Sequence, residues 1–186
     1  MTSGSGQNLA SSMPDIKIHH DFRYGDLGKV LFLHGQVYNQ EYRFNHEFEA
    51  YVAEGLAEFA RKYKSDKSCL WIAEEKGDTI GSIAILERDN KQAQLRWFIV
   101  HPEYRGKTIG RFLCKKAIEF CQNAGYDSIY LWTLGNLVAA RKIYEANGFQ
   151  LIKKKQNQLW GHNLVEEFYV LKFLITANRQ EGKNNI

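Results

Sequence analysis

Residues 95–111, LRWFIVHPEYRGKTIGR, force a strand, a tight turn and a helix start into one short stretch. The apolar run through Phe98, Ile99 and Val100 stops at His101-Pro102, because proline has no N–H to give to a ladder. From Ile109 onward Phe112, Leu113, Ala117, Phe120 and Cys121 recur at helical spacing, and Gly125 closes the run. A turn this short leaves the first backbone N–H groups of the helix unpaired and directed at whatever lies before them, which makes an anion site. Gly106, Thr108, Ile109 and Gly110 supply that backbone, and Arg105, Lys107 and Arg111 surround it with positive charge. A favourable charge at a helix terminus is worth ~0.3–2 kcal/mol, so a diphosphate suits the turn.

Gly106-Lys107-Thr108 also imitates the end of a nucleotide-binding P-loop. That motif needs a glycine five positions before its second one, where this chain has His101, and Pro102 and the strand leave no free loop. A nucleoside-triphosphatase reading is therefore set aside.

The rest of the pattern predicts what the turn is built into. Alternation at Ile16, Ile18 and Phe22 predicts a strand over 16–23, with Asp26 as the cap of a helix striped by Leu27, Val30, Leu31, His34, Val37 and Tyr38. Asn45 stands as the cap of a second helix from His46. SCLWIAEE and TIGSIAILER read as a hairpin turning at Lys76-Gly77-Asp78. Beyond the central turn, SIYLWT is apolar on both alternating sets, as in a strand buried on both faces. A short helix over 137–146 ends at Asn147-Gly148, and strands over 149–155 and 165–173 follow, with Lys153-Lys154-Lys155 as a solvated strand end. The order β-α-α-β-β-β-α-β-α-β-β predicts an α/β (α+β) fold: a mixed central sheet of about six to seven strands with helices on both faces.

Composition narrows the function. A chain of 186 residues with 44% hydrophobic and 25% charged residues suits one soluble domain, expected over 15–175 between polar tails at 1–14 and 176–186. A net charge of +4 without a basic stripe argues against nucleic acid, and no apolar run is long enough to enter a membrane. Three cysteines in no metal-binding spacing point to reduced thiols in a cytoplasmic protein, with no disulfide framework and no metal site. Cys114 and Cys121, seven apart, read as core residues on one helix face.

VHPEYRGKTIG resembles the signature of the GNAT acetyltransferases, [Arg/Gln]-x-x-Gly-x-[Gly/Ala] after a strand ending in Val-x-Pro, at Val100, Pro102, Tyr104, Arg105 and Gly110. Downstream, Ala140-Arg-Lys-Ile-Tyr144-Glu-Ala-Asn-Gly148-Phe149 is similar to the family's A-x-x-x-Y-x-x-x-G-F. Within the family the chain most resembles domains fused to MarR-type regulators, although it has no helix-turn-helix domain of its own. Two departures stand out: Thr108 where the family usually has glycine, and Leu137 where it often has asparagine, with Asn136 one place away.

The resemblance implies acetyl-CoA as cosubstrate, held by the turn from Arg105 to Arg111, by the backbone of Phe98, Ile99 and Val100 along the pantetheine arm, and by Asn136. It implies Tyr144 as general acid toward the departing thiolate; the alternative for Tyr144 is a core aromatic. An amine acceptor must lose a proton before attack, and Glu87, His162, Glu166 or a water chain could take it. Trp160, Gly161 and His162 are candidates for a loop over the acceptor, against the default that Trp97, Tyr130, Trp132 and Trp160 are core. His34 reads as a satisfied helix histidine. The implied activity is transfer of an acetyl group to a primary amine of a small molecule, amino acid or peptide by direct attack in a ternary complex. A homodimer is compatible with the sequence. The alternative is a catalytically silent or regulatory module of the same fold that only binds coenzyme A.

Overall fold

The computed structural model describes residues 16–89 and 91–173, so the expected tails lie outside the described residues. In chain order the elements are β1 (Ile16–His19), α1 (Asp26–Tyr42), α2 (His46–Lys62), β2 (Cys69–Glu75), β3 (Asp78–Glu87) and β4 (Gln92–Val100). A 3₁₀ turn at Pro102–Tyr104 leads into α3 (Ile109–Asn123), followed by β5 (Ser128–Leu134), α4 (Val138–Ala146), β6 (Gln150–Leu159) and β7 (His162–Lys172). The strands form one seven-stranded sheet in the order β1-β2-β3-β4-β5-β7-β6. Among the described residues only β4 and β5 pair in parallel, through the α3 crossover; the other pairings are antiparallel. This is the mixed sheet the pattern predicts.

Alternation along the strands separates two cores. Leu70, Ile72, Ala84 and Leu86 meet Val30 of α1 and Val52, Leu56 and Phe59 of α2 on one face. Cys69, Trp71, Ile83 and Ile85 meet Leu113, Cys114, Ala117 and Cys121 of α3, together with Tyr144 of α4, on the other. The three cysteines are thus free, buried core residues.

Three local expectations are corrected. β1 ends at His19 rather than 23. Asp26 is not a cap but the first residue of α1, after a left-handed Gly25; its buried carboxylate instead accepts the Arg23 backbone N–H at 2.7 Å. β6 and β7 are longer than expected and join through Trp160 and Gly161, both at positive φ (52° and 86°), as a two-residue hairpin turn. Lys153-Lys154-Lys155 therefore lies within β6, where Lys154 pairs with Glu167 at 2.7 Å and Lys155 with Glu166 at 3.1 Å. The Asn45 cap stands as expected, its side chain accepting the Glu47 N–H at 3.1 Å.

Candidate active site

The site begins with a bulge. β3 and β4 pair as Ser82↔Ile99 and Ala84↔Arg96, so Trp97 and Phe98 together oppose Ile83. Trp97 takes φ 47°, and the Ser82 hydroxyl secures its carbonyl with a 2.8 Å hydrogen bond. A bulge bends its strand, and here it bends β4 away from β5. The two strands pair only from Gln92 to Gln94, opposite Ser128 to Tyr130. Past that point the β5-facing edge of β4 has no strand partner, and a cleft opens between Arg96–Val100 and the end of β5.

Two cavities occupy this cleft. One, of about 290 Å³, runs along Phe98, Ile99 and Val100 between Arg105, Gly106 and Gly110 on one side and Asn136 with the start of α4 on the other. A side chain at Gly110 would crowd it, since a Cβ there would lie 3.1 Å from Ile143 and 3.3 Å from Phe98. The second, of about 330 Å³, lies beyond the bulge and is reached by Arg96, Tyr51, Trp132, Tyr144, Lys155 and Glu166. Tyr38, Phe98, Leu137 and Ala140 line both, so the cavities meet at Phe98 and the start of α4.

Of the turn residues, Arg105, Gly106 and Gly110 line the first cavity, whereas Lys107, Thr108, Ile109 and Arg111 lie outside its lining. Arg105 is tied down by a bidentate pair with Glu41 of α1 (2.7 and 2.9 Å) and a 3.1 Å hydrogen bond to the Val100 carbonyl. Lys107 lies 4.7 Å over the Tyr104 ring, and Ile109 is core. Thr108 precedes α3 in the left-handed region (φ 67°), and its hydroxyl bonds only the Lys107 carbonyl (2.5 Å). Such a conformation costs a non-glycine residue roughly 1–3 kcal/mol. Thr108→Gly relieves it while adding roughly 0.5–1 kcal/mol of unfolded-chain entropy. The expected net gain is about 1 kcal/mol, a rise in Tm of roughly 2–4 °C by calorimetry; a lower Tm would show that Thr108 is not strained.

Tyr144 is 4% exposed, packed against Phe98 and Phe149 (both 5.7 Å) and Tyr169 (6.2 Å). Its hydroxyl has no hydrogen-bond partner among the described residues, and burial pushes its pKa well above 10. Of the three candidate bases, only Glu166 lines the second cavity, held by Lys155 and by Asn157. Glu87 pairs with Lys64 at 3.0 Å elsewhere, and His162 sits against Phe44 with Nε2 3.1 Å from the Arg43 carbonyl. Trp160 reaches the cavity from the hairpin turn, packed edge-on against Phe48 and at a tilt against Phe44 and Tyr51. His34 is buried; its Nδ1–H donates to the Val30 carbonyl (2.8 Å), and desolvation pulls its pKa down to about 4 despite that bond. It nonetheless lines the second cavity beside Tyr38, which the helical pattern alone did not indicate. Arg96 and the Trp97 bulge also escaped the sequence reading. A charged residue inside the apolar run LRWFIV was the one available signal.

No group of three His, Cys, Asp or Glu side chains among the described residues could hold a metal. No helix among them is long and apolar enough to cross a membrane.

A strand splayed by a bulge, followed by an arginine- and glycine-bearing turn into a helix and by a buried tyrosine across the cleft, defines an acyltransferase-type architecture. Residues 35–149 match the model of the acetyltransferase (GNAT) family, and the chain belongs to that family. It is 32% identical over 152 residues to a Xenopus tropicalis protein named N-acetylaspartate synthetase, covering 77% of this chain and 55% of that one. It is 36% identical over 101 residues to N-acetyltransferase family 8 member 3 of Rattus norvegicus, covering 51% and 44%. The chain thus spans about half the length of these curated relatives. Among solved structures, a GNAT-family acetyltransferase from Staphylococcus aureus superposes with a TM-score of 0.69 at 22% identity, over 84% of this chain and 98% of that one. An acetyltransferase from Salmonella typhimurium, determined with its cofactor acetyl-CoA, gives 0.69 at 16% identity, over 87% and 96%. These structural likenesses concern the fold.

Proposed function

We propose that residues 15–175 form one acetyltransferase domain that moves an acetyl group from acetyl-CoA to a primary amine of a small molecule, amino acid or peptide. The observation that carries this is the pair of cavities meeting at Phe98 and Leu137 on the unpaired edge of β4. An extended, amide-bearing pantetheine arm suits that edge as an added strand would, with Phe98, Ile99 and Val100 as its partners. Arg105, Gly106, Gly110 and Asn136 lie where the rest of the coenzyme would follow, and Lys107, Thr108, Ile109 and Arg111 complete the turn around its diphosphate. Family membership and the relatives' names support N-acetylation.

In this reading the thioester carbonyl sits at the junction, where a backbone N–H of β4 past the bulge can stabilise the oxyanion. The neutral amine enters from the second cavity and attacks the carbonyl carbon; the carbon–sulfur bond breaks, and the Tyr144 hydroxyl donates a hydrogen bond to the sulfur as it leaves as thiolate. Glu166, directly or through water, takes the proton the nitrogen loses. Transfer is direct in this reading, because burial pushes all three thiol pKa values up, those of Cys69 and Cys114 to about 12, and none of the three lines either cavity, so no thiolate is available for a covalent relay. A cytoplasmic setting belongs to the same proposal, supported by three unpaired thiols. The narrower likeness to MarR-fused domains rests on the sequence motifs alone.

The silent-module reading draws on the left-handed Thr108 and on Leu137. Mixing the protein with acetyl-CoA and a panel of primary amines decides between the two readings. Amine-dependent release of free thiol is expected; tight coenzyme binding with no thiol released from any amine would leave only the silent module.

A further inference from the structure

Arg96 is a charge without a counter-charge. Its guanidinium lies 5.1 Å from the Tyr51 ring and 4.9 Å from the Trp97 ring, and has no hydrogen bond or ion pair among the described residues. The carboxylates around it are engaged elsewhere. Glu58, close enough to feel its field, pairs with Lys62 at 2.9 Å and Arg88 at 3.6 Å; Glu166, across the cavity, pairs with Lys155. The cavity that Arg96 lines thus carries one more cation than anion, with Arg96 and Lys155 against Glu166. The indole stacked on Arg96 adds a second unmet donor, the buried Nε1–H of Trp97.

The fold makes room for this guanidinium. On α2, Gly55 presents bare backbone to it: a Cβ there would lie 2.8 Å from one Arg96 Nη and 3.0 Å from the other. Half-burying an unpaired charge is costly, and a planar fork held between two rings is preorganised for a bidentate partner. We infer that Arg96 binds a carboxylate of the acceptor, so that this cavity takes amines carrying an anionic group. The inference rests on the acetyl-transfer reading for its amine, but the carboxylate seat stands on Arg96 itself.

The test uses amines with and without their one carboxylate, alanine against ethylamine, leucine against 3-methylbutylamine, and phenylalanine against phenethylamine, with acetyl-CoA in excess and thiol release as the readout. The carboxylate-richer member of at least one pair is expected to be preferred. Arg96→Gln should raise its KM at least tenfold while changing kcat less than about threefold and sparing the other member. Arg96→Lys should recover part of the loss. Gly55→Ala keeps the charge but crowds it in a helix that tolerates alanine, and should raise the same KM. Absence of any carboxylate preference, or equal losses on both members of a pair, overturns the inference. If no amine is acetylated, the transfer reading fails and the seat is still tested: with coenzyme A present, succinate should raise the Tm of the wild type and not that of Arg96→Gln. Equal shifts, or none in either protein, overturn it.

Discussion

Glu167→Ala is expected to destabilise the fold by about 3 kcal/mol, lowering Tm by roughly 6–12 °C. Glu167 is almost wholly buried in β7, and its carboxylate forms ion pairs with Arg141 of α4 at 2.9 Å and Lys154 of β6 at 2.7 Å and accepts the Tyr169 hydroxyl at 3.1 Å. Removing one member of a buried charge cluster strands the others, a loss of ~3–5 kcal/mol for fully buried pairs. The lower end applies because Lys154 is half-exposed and Arg141 only partly covered. The cluster also positions the site, since Arg141 donates to the Gly135 carbonyl at 2.9 Å and so ties the turn before α4 to β7. Thiol release by the variant should fall even below its melting transition, and a loss of stability without any loss of turnover would detach the cluster from the site.

The same residue shapes the response to acid. Burial raises the Glu167 pKa, but the bonds from Lys154 and Tyr169 and the charge of Arg141 outweigh it and hold the carboxyl below its ordinary range. A depressed acid pKa contributes stability that is complete above the unfolded value and lost as pH falls through the folded one. His34 acts earlier. Its folded pKa of about 4 lies below an unfolded value near 6.5, so the neutral ring contributes fully above pH ~6.5, and about 3 kcal/mol is lost as pH falls toward 4. Chemical denaturation at stepped pH should therefore show stability declining first between about 6.5 and 4 and then further below. Glu167→Gln should shrink the lower decline, to which Glu58 and Glu74 also contribute, and keep the upper.

The parts of this molecule that depend on local pattern were legible in the sequence. The element order, the Asn45 cap and the strand-turn-helix ending in α3 follow from periodicity and from Pro102, Asn45 and Gly125, whose effects act within a few residues. The bulge was not legible. Trp97 and Lys76 both adopt positive φ, yet neither residue type favours it; the pairing of β3 with β4 imposes it on Trp97, and that pairing is a property of the whole sheet. Without the bulge the cleft is invisible, so Arg96, His34 and Lys155 gave no sign of sharing a cavity although they lie on β4, α1 and β6. The turn misled in a different way. Its cations were readable, but Glu41, sixty-four residues away, determines where the Arg105 guanidinium points. Trp160, Gly161 and His162 read only as candidates for a loop over the acceptor, with a core Trp160 as the default, because the hairpin's register, not its composition, sets where β6 ends.

Tyr144→Phe should lower kcat by roughly 10²-fold while leaving coenzyme affinity and Tm nearly unchanged. Phenylalanine keeps the ring contacts with Phe98, Phe149 and Tyr169, and the lost hydroxyl makes no hydrogen bond within the described residues, so the fold loses nothing. Tyr144 lines the second cavity and not the first, which separates its effect from coenzyme binding. With a pKa pushed well above 10 by burial, the hydroxyl is a weak acid that stays protonated throughout the working range. A thiol near pKa 8.5 is already a fair leaving group, so the hydroxyl has only to donate a hydrogen bond as charge develops on sulfur; this sets the effect at the low end of acid catalysis. Stopped-flow thiol release and coenzyme titration on the two proteins separate the cases. A parallel loss of coenzyme affinity and Tm would make Tyr144 a packing residue, and an unchanged kcat would remove it from the reaction.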